Sequence, residues 1–225
     1  MKITPVQQQR ILIVDDHPIF RKGIAMLLEH EQDIIICGEA ETAAQAMGLV
    51  EHQEFDLVIA DISLKDINGI ELVKSLRALK PQLPVLVLSM HDESLYAERA
   101  LRAGARGYLM KQAPPDEVVT AIRQVLRGDL YLSAAANLLM LNTFVTGRGS
   151  NNKSSVEKLS DRELEIFELL GQGRGTSMIA HDLRLSVKTI EAHRSHIKAK
   201  LAITTAPELV RAAVEWVTRR TGGGD

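Results

Sequence analysis

The chain has 225 residues, 45% hydrophobic and 25% charged, with a formal net charge of -2, a composition that fits a globular protein of one large or two small domains and excludes a low-complexity or fibrous chain. A single cysteine, Cys37, excludes an internal disulfide framework, and no apolar run reaches the ~18 residues that a bilayer crossing needs. The opening MKITPVQQQR has no apolar signal core, so the expectation is a cytoplasmic protein with no membrane partner. Charge is unevenly placed: residues 1–147 carry 14 basic and 19 acidic side chains, net -5, and residues 153–220 carry 12 and 9, net +3. That imbalance suits an acidic pocket in the first half and contact with a polyanion in the second.

In chain order, ILIV (11–14) predicts a strand, and HPIFRKGIAMLLEH (17–30) a helix with Pro18 in its first turn. DIIICGEA (33–40) reads as a second strand, TAAQAMGLVEHQ (42–53) as a helix rich in helix formers, and DLVIAD (56–61) as a third strand. NGIELVKSLRALKP (68–81) is a helix closed by Pro81. LPVLVLSM (83–90), ESLYAERALRAGA (93–105), ARGYLMK (105–111) and PPDEVVTAIRQVLRGD (114–129) continue the alternation as strand, helix, strand, helix. Near-continuous apolar strands separated by helices mean right-handed crossovers and a parallel sheet covered on both faces. YLSAAANLLMLNTFV (131–145) predicts one amphipathic helix, and TGRGSNNKSS (146–155), without apolar periodicity, a linker.

From Leu159 the pattern is helical only. LSDRELEIFELLGQG (159–173) carries a capping box, Ser160 with Glu163, and a predicted core face of Leu164, Phe167, Leu169 and Leu170. TSMIAHDLRL (176–185) is a short helix, SVKTIEAHRSHIKAKL (186–201) a longer one capped by Ser186, and APELVRAAVEWVTRR (206–220) a fourth. In the third of these, Val187, Ile190, Ile197 and Leu201 are predicted to pack inward. Its other face carries Lys188, Glu191, His193, Arg194, Ser195, Lys198 and Lys200, a basic surface suited to phosphates and the major groove of double-stranded DNA. In the fourth helix Val210, Val214 and Val217 are candidates for a pairing surface, with at least two of them expected in the domain's own core.

Functional groups of open parallel sheets collect beyond the carboxyl ends of the strands. There the first half places Asp15 and Asp16, Asp61, Ser89 and Lys111, from four different strands. Three clustered carboxylates repel unless a cation sits among them, and oxygen ligands in a site open to phosphate favour Mg2+. A metal, a lysine and a hydroxyl around one aspartate suit phosphoryl transfer, with Asp61 as nucleophile and Ser89 donating to a phosphoryl oxygen.

The motifs VDDHP, IADISLKDINGIE, VLVLSMHDE and GARGYLMK resemble the receiver domain of two-component response regulators over residues 10 to about 130. The resemblance implies a flavodoxin-like sheet of order 2-1-3-4-5 and phosphorylation of Asp61 by a sensor histidine kinase. It implies metal ligation by Asp15, Asp16, Asp61 and the Ser63 backbone carbonyl, phosphoryl contacts from Ser89 and Lys111, and a switch role for Ser89 and Tyr108. Lys65 stands where the family usually has proline, which predicts a looser loop and an added positive charge near the pocket.

Residues 159–217 resemble the four-helix LuxR-type helix-turn-helix domain, through LSDRELEIFELLGQG, IAHDL and SVKTIEAHRSHIKAKL, and the order of parts resembles the NarL/FixJ class. The resemblance implies that Glu191, Ala192 and Ser195 meet base edges, that Lys188, Thr189 and Arg194 contact phosphate, and that His193 and Lys198 share the DNA-binding surface. GRGTSMIA departs from the family pattern at Gly175 and Met178, with Thr176 expected to take over the helix cap.

The reading is therefore an α/β doubly wound five-stranded domain (10–130), a partly helical linker (131–155) and an all-α four-helix helix-turn-helix domain (156–220). The expected function is a phosphorylation-switched transcription regulator, not an enzyme, which pairs as a homodimer when phosphorylated and reads two half-sites. The first alternative is a phosphorylation-independent regulator, with the charge of Lys65 as partial surrogate. A remoter one is a Mg2+-dependent phosphohydrolase, which typically needs an acid where this chain has Ser63.

Overall fold

The computed structural model describes residues 8–145 and 155–221, and the chain divides after Val145 into two compact units. Most of the stretch read as a linker, 146–154, lies outside the described residues. Among those described, no helix is long and apolar enough to cross a membrane.

The first unit alternates β1 (Gln9–Val14), α1 (Pro18–Leu28), β2 (Ile34–Ala40), α2 (Ala43–His52), β3 (Leu57–Ala60), α3 (Gly69–Leu79), β4 (Val85–Ser89), α4 (Glu93–Ala103), β5 (Gly107–Met110) and α5 (Pro115–Leu126), followed by α6 (Ala134–Val145). The strands form one parallel sheet of order β2-β1-β3-β4-β5. Strands β3 and β4 are buried at every position, as expected where helices cover both faces. The edge strand β2 departs from that pattern, with Ile35 exposed, because it has a neighbour on one side only.

Period-two alternation sends alternate strand residues to the same face of the sheet. Ile11, Ile13 and Ile59 face a cluster with Ile24 of α1 and Ile122 and Val125 of α5. Helix starts follow their residues: Thr42, Asn68 and Asp92 cap α2, α3 and α4 with their side chains, and Pro occupies the first turns of α1 and α5. Beyond α5 the chain returns to the sheet. Tyr108 N–H donates to the Tyr131 carbonyl (3.1 Å) and Tyr131 N–H to the Arg106 carbonyl (2.9 Å), so Tyr131 covers the open side of β5. The following helix α6 is not amphipathic as expected. Ala136 is buried, but Leu138, Leu139 and Leu141 are all exposed, because a helix lying on the surface of the unit buries only a narrow stripe.

The second unit has a short 3-10 turn (Ser155–Lys158), α7 (Asp161–Gly171), α8 (Thr176–Asp182), α9 (Val187–Leu201) and α10 (Ala206–Thr221). The Ser160–Glu163 capping box is complete at the start of α7. Leu164, Phe167 and Leu170 are buried as expected, but Leu169 is half-buried and Ile166 takes its place in the core. In α9 Ile190 and Ile197 are buried, Leu201 is half-buried, and Val187, at the first helical position, is 48% exposed. In α10 the expectation for the valines fails. Leu209 and Ala213 are buried and Trp216 packs 5.6 Å from Phe167, a stripe that turns Val210 and Val214 outward and leaves Val217 half-buried. Thr176 does not cap α8; Gly175 holds that position without a side-chain bond, and Thr176 is the first helical residue.

One glycine positions the site directly. Gly69 opens α3 with its N–H on the Ile62 carbonyl, and a Cβ there would lie 1.9 Å from the Asp61 carbonyl oxygen and 2.8 Å from the Ile62 Cα. Gly69→Ala is expected to destabilise the first unit by about 2 kcal/mol or more, read by urea denaturation, because backbone on both sides must move.

Candidate functional site

The parallel register decides which loops meet. Val14 of β1 pairs with Ala60 of β3, so Asp15 and Asp61, the next residue of each strand, emerge side by side. Asp15, Asp16 and Asp61 are 2%, 6% and 4% exposed. Lys111 leaves the end of β5 with its N–H on the Ser89 carbonyl and turns a buried side chain into the same space. Its Nζ lies 2.6 Å from Asp15 Oδ2 and 2.8 Å from Asp61 Oδ2. The Phe20 ring supports it, with the ammonium 4.4 Å from the ring centre. Asp15 Oδ1 accepts from the His17 N–H (2.8 Å), Asp61 Oδ1 from the Ile62 N–H (2.7 Å), and His17 Nδ1 stands 2.7 Å from Asp16 Oδ1.

Three carboxylates against one ammonium leave about two negative charges in a buried space. Donor atoms of Asp15, Asp16, His17 and Asp61 all lie within 4.8 Å of one another, so the cluster can hold a metal ion. A carboxylate-rich set suits a hard, oxygen-seeking cation. Burial, and then the charge of Asp61, push the Asp15 carboxyl above its ordinary pKa against the opposing pull of Lys111.

Two polar networks flank the cluster. On one side Arg21 donates to the Asp15 carbonyl (2.5 Å), Glu39 (2.9 Å) and Glu41 (3.1 Å). Lys65 pairs with Glu41, so the positive charge expected near the pocket is drawn into this network. The loop bearing Lys65 also meets the start of α2. The Asp66 carboxylate accepts from the Ala43 and Ala44 N–H groups at the start of α2, both at 3.0 Å. Burial opposes ionisation of Asp66, but these amides hold its pKa below the usual range. On the other side Ser89 is fully buried at the end of β4, and its Oγ accepts a long bond (3.4 Å) from the His91 N–H. Tyr108 is fully buried and donates its hydroxyl to the His91 carbonyl at 2.7 Å. The His91 ring reaches Ser63 Oγ (2.9 Å) and packs against Tyr96.

In the second unit Ser186 caps α9, accepting from the Thr189 N–H at 3.0 Å. Lys188, Glu191, Ala192, Ser195 and Lys200 are exposed along α9, and Thr189 and Lys198 are partly so. Arg194 is not free to roam the surface: its side chain is 14% exposed and binds Glu191 (3.1 Å) and the Thr176 hydroxyl. His193 turns toward α7 and is half-buried, and that burial, then the charge of Arg162, lowers its pKa below 6.5. Met178 is exposed on α8.

Residues 11–123 match the response regulator receiver domain, and residues 157–213 match the bacterial regulatory proteins of the luxR family. The chain belongs to the NarL/FixJ class of response regulators. It is 35% identical over 210 residues to the oxygen regulatory protein NreC of Staphylococcus carnosus (strain TM300), spanning 92% of this chain and 97% of that protein. A two-component response regulator of the LuxR family from Aurantimonas sp. SI85-9A1 superposes with a TM-score of 0.58 at 33% identity, over 61% of this chain and 99% of that one. RcsB from Salmonella enterica serovar Typhimurium, bound to promoter rprA in the presence of phosphomimetic BeF3-, gives 0.60 at 25% identity over 91% and 97% of the two chains. The protein is thus a DNA-binding response regulator of a two-component system.

In this regulator Asp15, Asp16, Asp61 and Lys111 come together at one point; the Ser89 carbonyl accepts from the Lys111 N–H, and Ser89 and Tyr108 each bond to His91. Four participants were not singled out from sequence: His17, Arg21, Asp66 and His91. His17 lay inside VDDHP and His91 inside VLVLSMHDE, so adjacency to the marked residues was the available signal. Arg21 meets the Glu39 and Glu41 carboxylates and Asp66 the Ala43 and Ala44 amides, partners far along the chain for which a single sequence holds no signal.

Asp15 yields a pH argument. Its folded pKa lies above 3.8, so the stability it contributes is complete below its unfolded pKa and is lost as pH rises through the folded value. At neutral pH the ionised group therefore costs the metal-free chain stability. Asp15→Asn is expected to raise the melting temperature of the first unit in metal-free protein at pH 7, with a smaller gain at pH 4, and to weaken divalent-metal affinity; calorimetry at both pH values checks it.

Proposed function

We propose that Asp61 is the phosphoacceptor of this regulator. The observation that carries the reading is Lys111 held between Asp15 and Asp61, at 2.6 and 2.8 Å, within a cluster of three buried carboxylates. A carboxylate oxygen of Asp61 attacks the phosphorus of a phosphohistidine on a sensor histidine kinase. The P–N bond breaks, the imidazole leaves with the electron pair and takes a proton, and Asp61 becomes an acyl phosphate. Asp15, Asp16, Asp61 and the Ser63 backbone carbonyl would hold Mg2+, which when bound neutralises phosphoryl charge. Lys111 passes from Asp61 to a phosphoryl oxygen. Ser89 donates its hydroxyl to another, which breaks its long contact with the His91 N–H; Tyr108, bonded to the His91 carbonyl, moves with that loop.

Residues 10–130 form the receiver, 131–155 the linker and 156–220 the DNA-binding domain of a cytoplasmic protein. Phosphorylation favours a homodimer that reads two half-sites of double-stranded DNA. Support comes from RcsB, described bound to a promoter in the presence of phosphomimetic BeF3-. On α9, Glu191, Ala192 and Ser195 meet base edges, and Lys188, Thr189 and Lys198 meet phosphates. Arg194 and His193 serve mainly to hold α9 on its neighbours. The regulator is not a phosphohydrolase, since the position two residues past Asp61 is Ser63, whose hydroxyl is engaged by His91. Nor does Lys65 stand in for phosphate, since it is paired with Glu41.

Sedimentation with and without Mg2+ and beryllofluoride tests the switch. A monomer that dimerises with both, and does not in Asp61→Asn, supports it; an Asp61→Asn protein that still dimerises sinks it. Lys65→Gln is expected to dimerise like the wild type. For DNA, Lys188→Ala is expected to weaken binding to all sequences alike and to reduce the slope of log affinity against log salt by about 1, read by fluorescence anisotropy at several salt concentrations.

A further inference from the structure

We infer that Glu163, His193 and His196 form a second metal site, one for a first-row transition cation such as Zn2+, bridging α7 and α9. One carboxylate oxygen of Glu163 and one ring nitrogen of each histidine all lie within 4.8 Å of one another. Glu163 is 4% exposed and is fixed by the capping box and by Lys200, with both bonds, from the Ser160 N–H (2.8 Å) and Lys200 Nζ (2.6 Å), on Oε2. His193 and His196 are three residues apart on α9, the spacing that puts two side chains on one helical face. Capping and the ion pair account for the carboxylate. They do not account for two imidazoles gathered at the same carboxylate.

The geometry is close to what such an ion needs. Donors around a tetrahedral Zn2+ with bonds near 2.1 Å stand about 3.4 Å apart. Closing from the present spacing takes about 1 Å or more, within reach of a rotamer change in the exposed His196. Lys200 is the built-in competitor, but 40% of its side chain is exposed, and its ammonium can swing into water when a dication takes its place at the carboxylate. Two nitrogens and one oxygen select zinc-like cations over Mg2+, which prefers oxygen ligands. The acidic cluster of the first unit has the opposite preference. A bound ion would staple the first helix of the DNA-binding unit to α9, the helix that presents its basic face.

The test is calorimetric titration of Zn2+ into the full-length protein in millimolar Mg2+, which keeps the first-unit cluster supplied with its own ion. Wild type, His196→Ala and His17→Ala are compared; His196 and His17 are both exposed, so neither substitution threatens folding. The expected result is one Zn2+ per chain, an affinity at least tenfold weaker in His196→Ala and unchanged in His17→Ala, and a Zn2+-induced rise in melting temperature in wild type that His196→Ala loses. Absence of uptake by wild type, equal affinity in wild type and His196→Ala, or uptake abolished by His17→Ala would each overturn the inference.

Discussion

Lys111 reaches Asp15 and Asp61 at once, with Phe20 beneath it, and the carboxyl edge of the sheet is organised around that contact. Three carboxylates this deeply buried would not all stay ionised without a cation among them. One ammonium offsets part of their repulsion and leaves room for a divalent ion to offset the rest. The parallel register makes the arrangement possible. Asp61 N–H donates to the Val14 carbonyl, Asp15 N–H to the Ala40 carbonyl and Lys111 N–H to the Ser89 carbonyl, so each charged side chain starts from backbone that the sheet has already fixed.

Around that fixed centre the loops divide the labour. The Arg21, Glu41 and Lys65 network and the Asp66 bonds to the start of α2 make one flank rigid. The other flank depends on His91, whose main chain meets Ser89 and Tyr108 and whose ring meets Ser63. Ser89 and Tyr108 thus share one residue, His91, as their neighbour on this flank. Under the proposed phosphorylation of Asp61, this is the flank through which a change at Ser89 would be passed on.

Much of this was legible in the residues. Strands β1, β3 and β4 are apolar runs ending in Asp, Asp and Ser, and alternation with helices fixes a parallel sheet; adjacency of those ends then follows from topology. Capping at Ser160 and Ser186 was readable because it is local. What escaped depends on rotation and on distant partners. Val210 and Val214 are as apolar as Leu209 and Ala213, and the buried stripe follows from how α10 lies on α7, with an added Cβ at Gly171 only 2.5 Å from the Ala213 carbonyl and Trp216 against Phe167. Lys65 looked like a charge for the pocket because sequence shows its neighbours along the chain. Its partner, Glu41, lies beyond a strand and a helix. The bond of Arg194 to Thr176, on another helix, is likewise invisible along the chain.

The return of the chain at Tyr131 bears on how the protein can be cut. An unpaired parallel edge strand is a template for another chain, and here the backbone of Tyr131 occupies that edge at Arg106 and Tyr108. Ser133 then ties the same segment to Glu93 at 2.6 Å and caps the turn into α6 through the Ala136 N–H. A fragment ending at residue 130 would keep the whole acidic pocket and yet uncover the border of β5, with Gly107 at its centre. A fragment carried through α6 keeps that border sealed, so the place to sever this molecule lies after the helix, not after the last element that touches the chemistry.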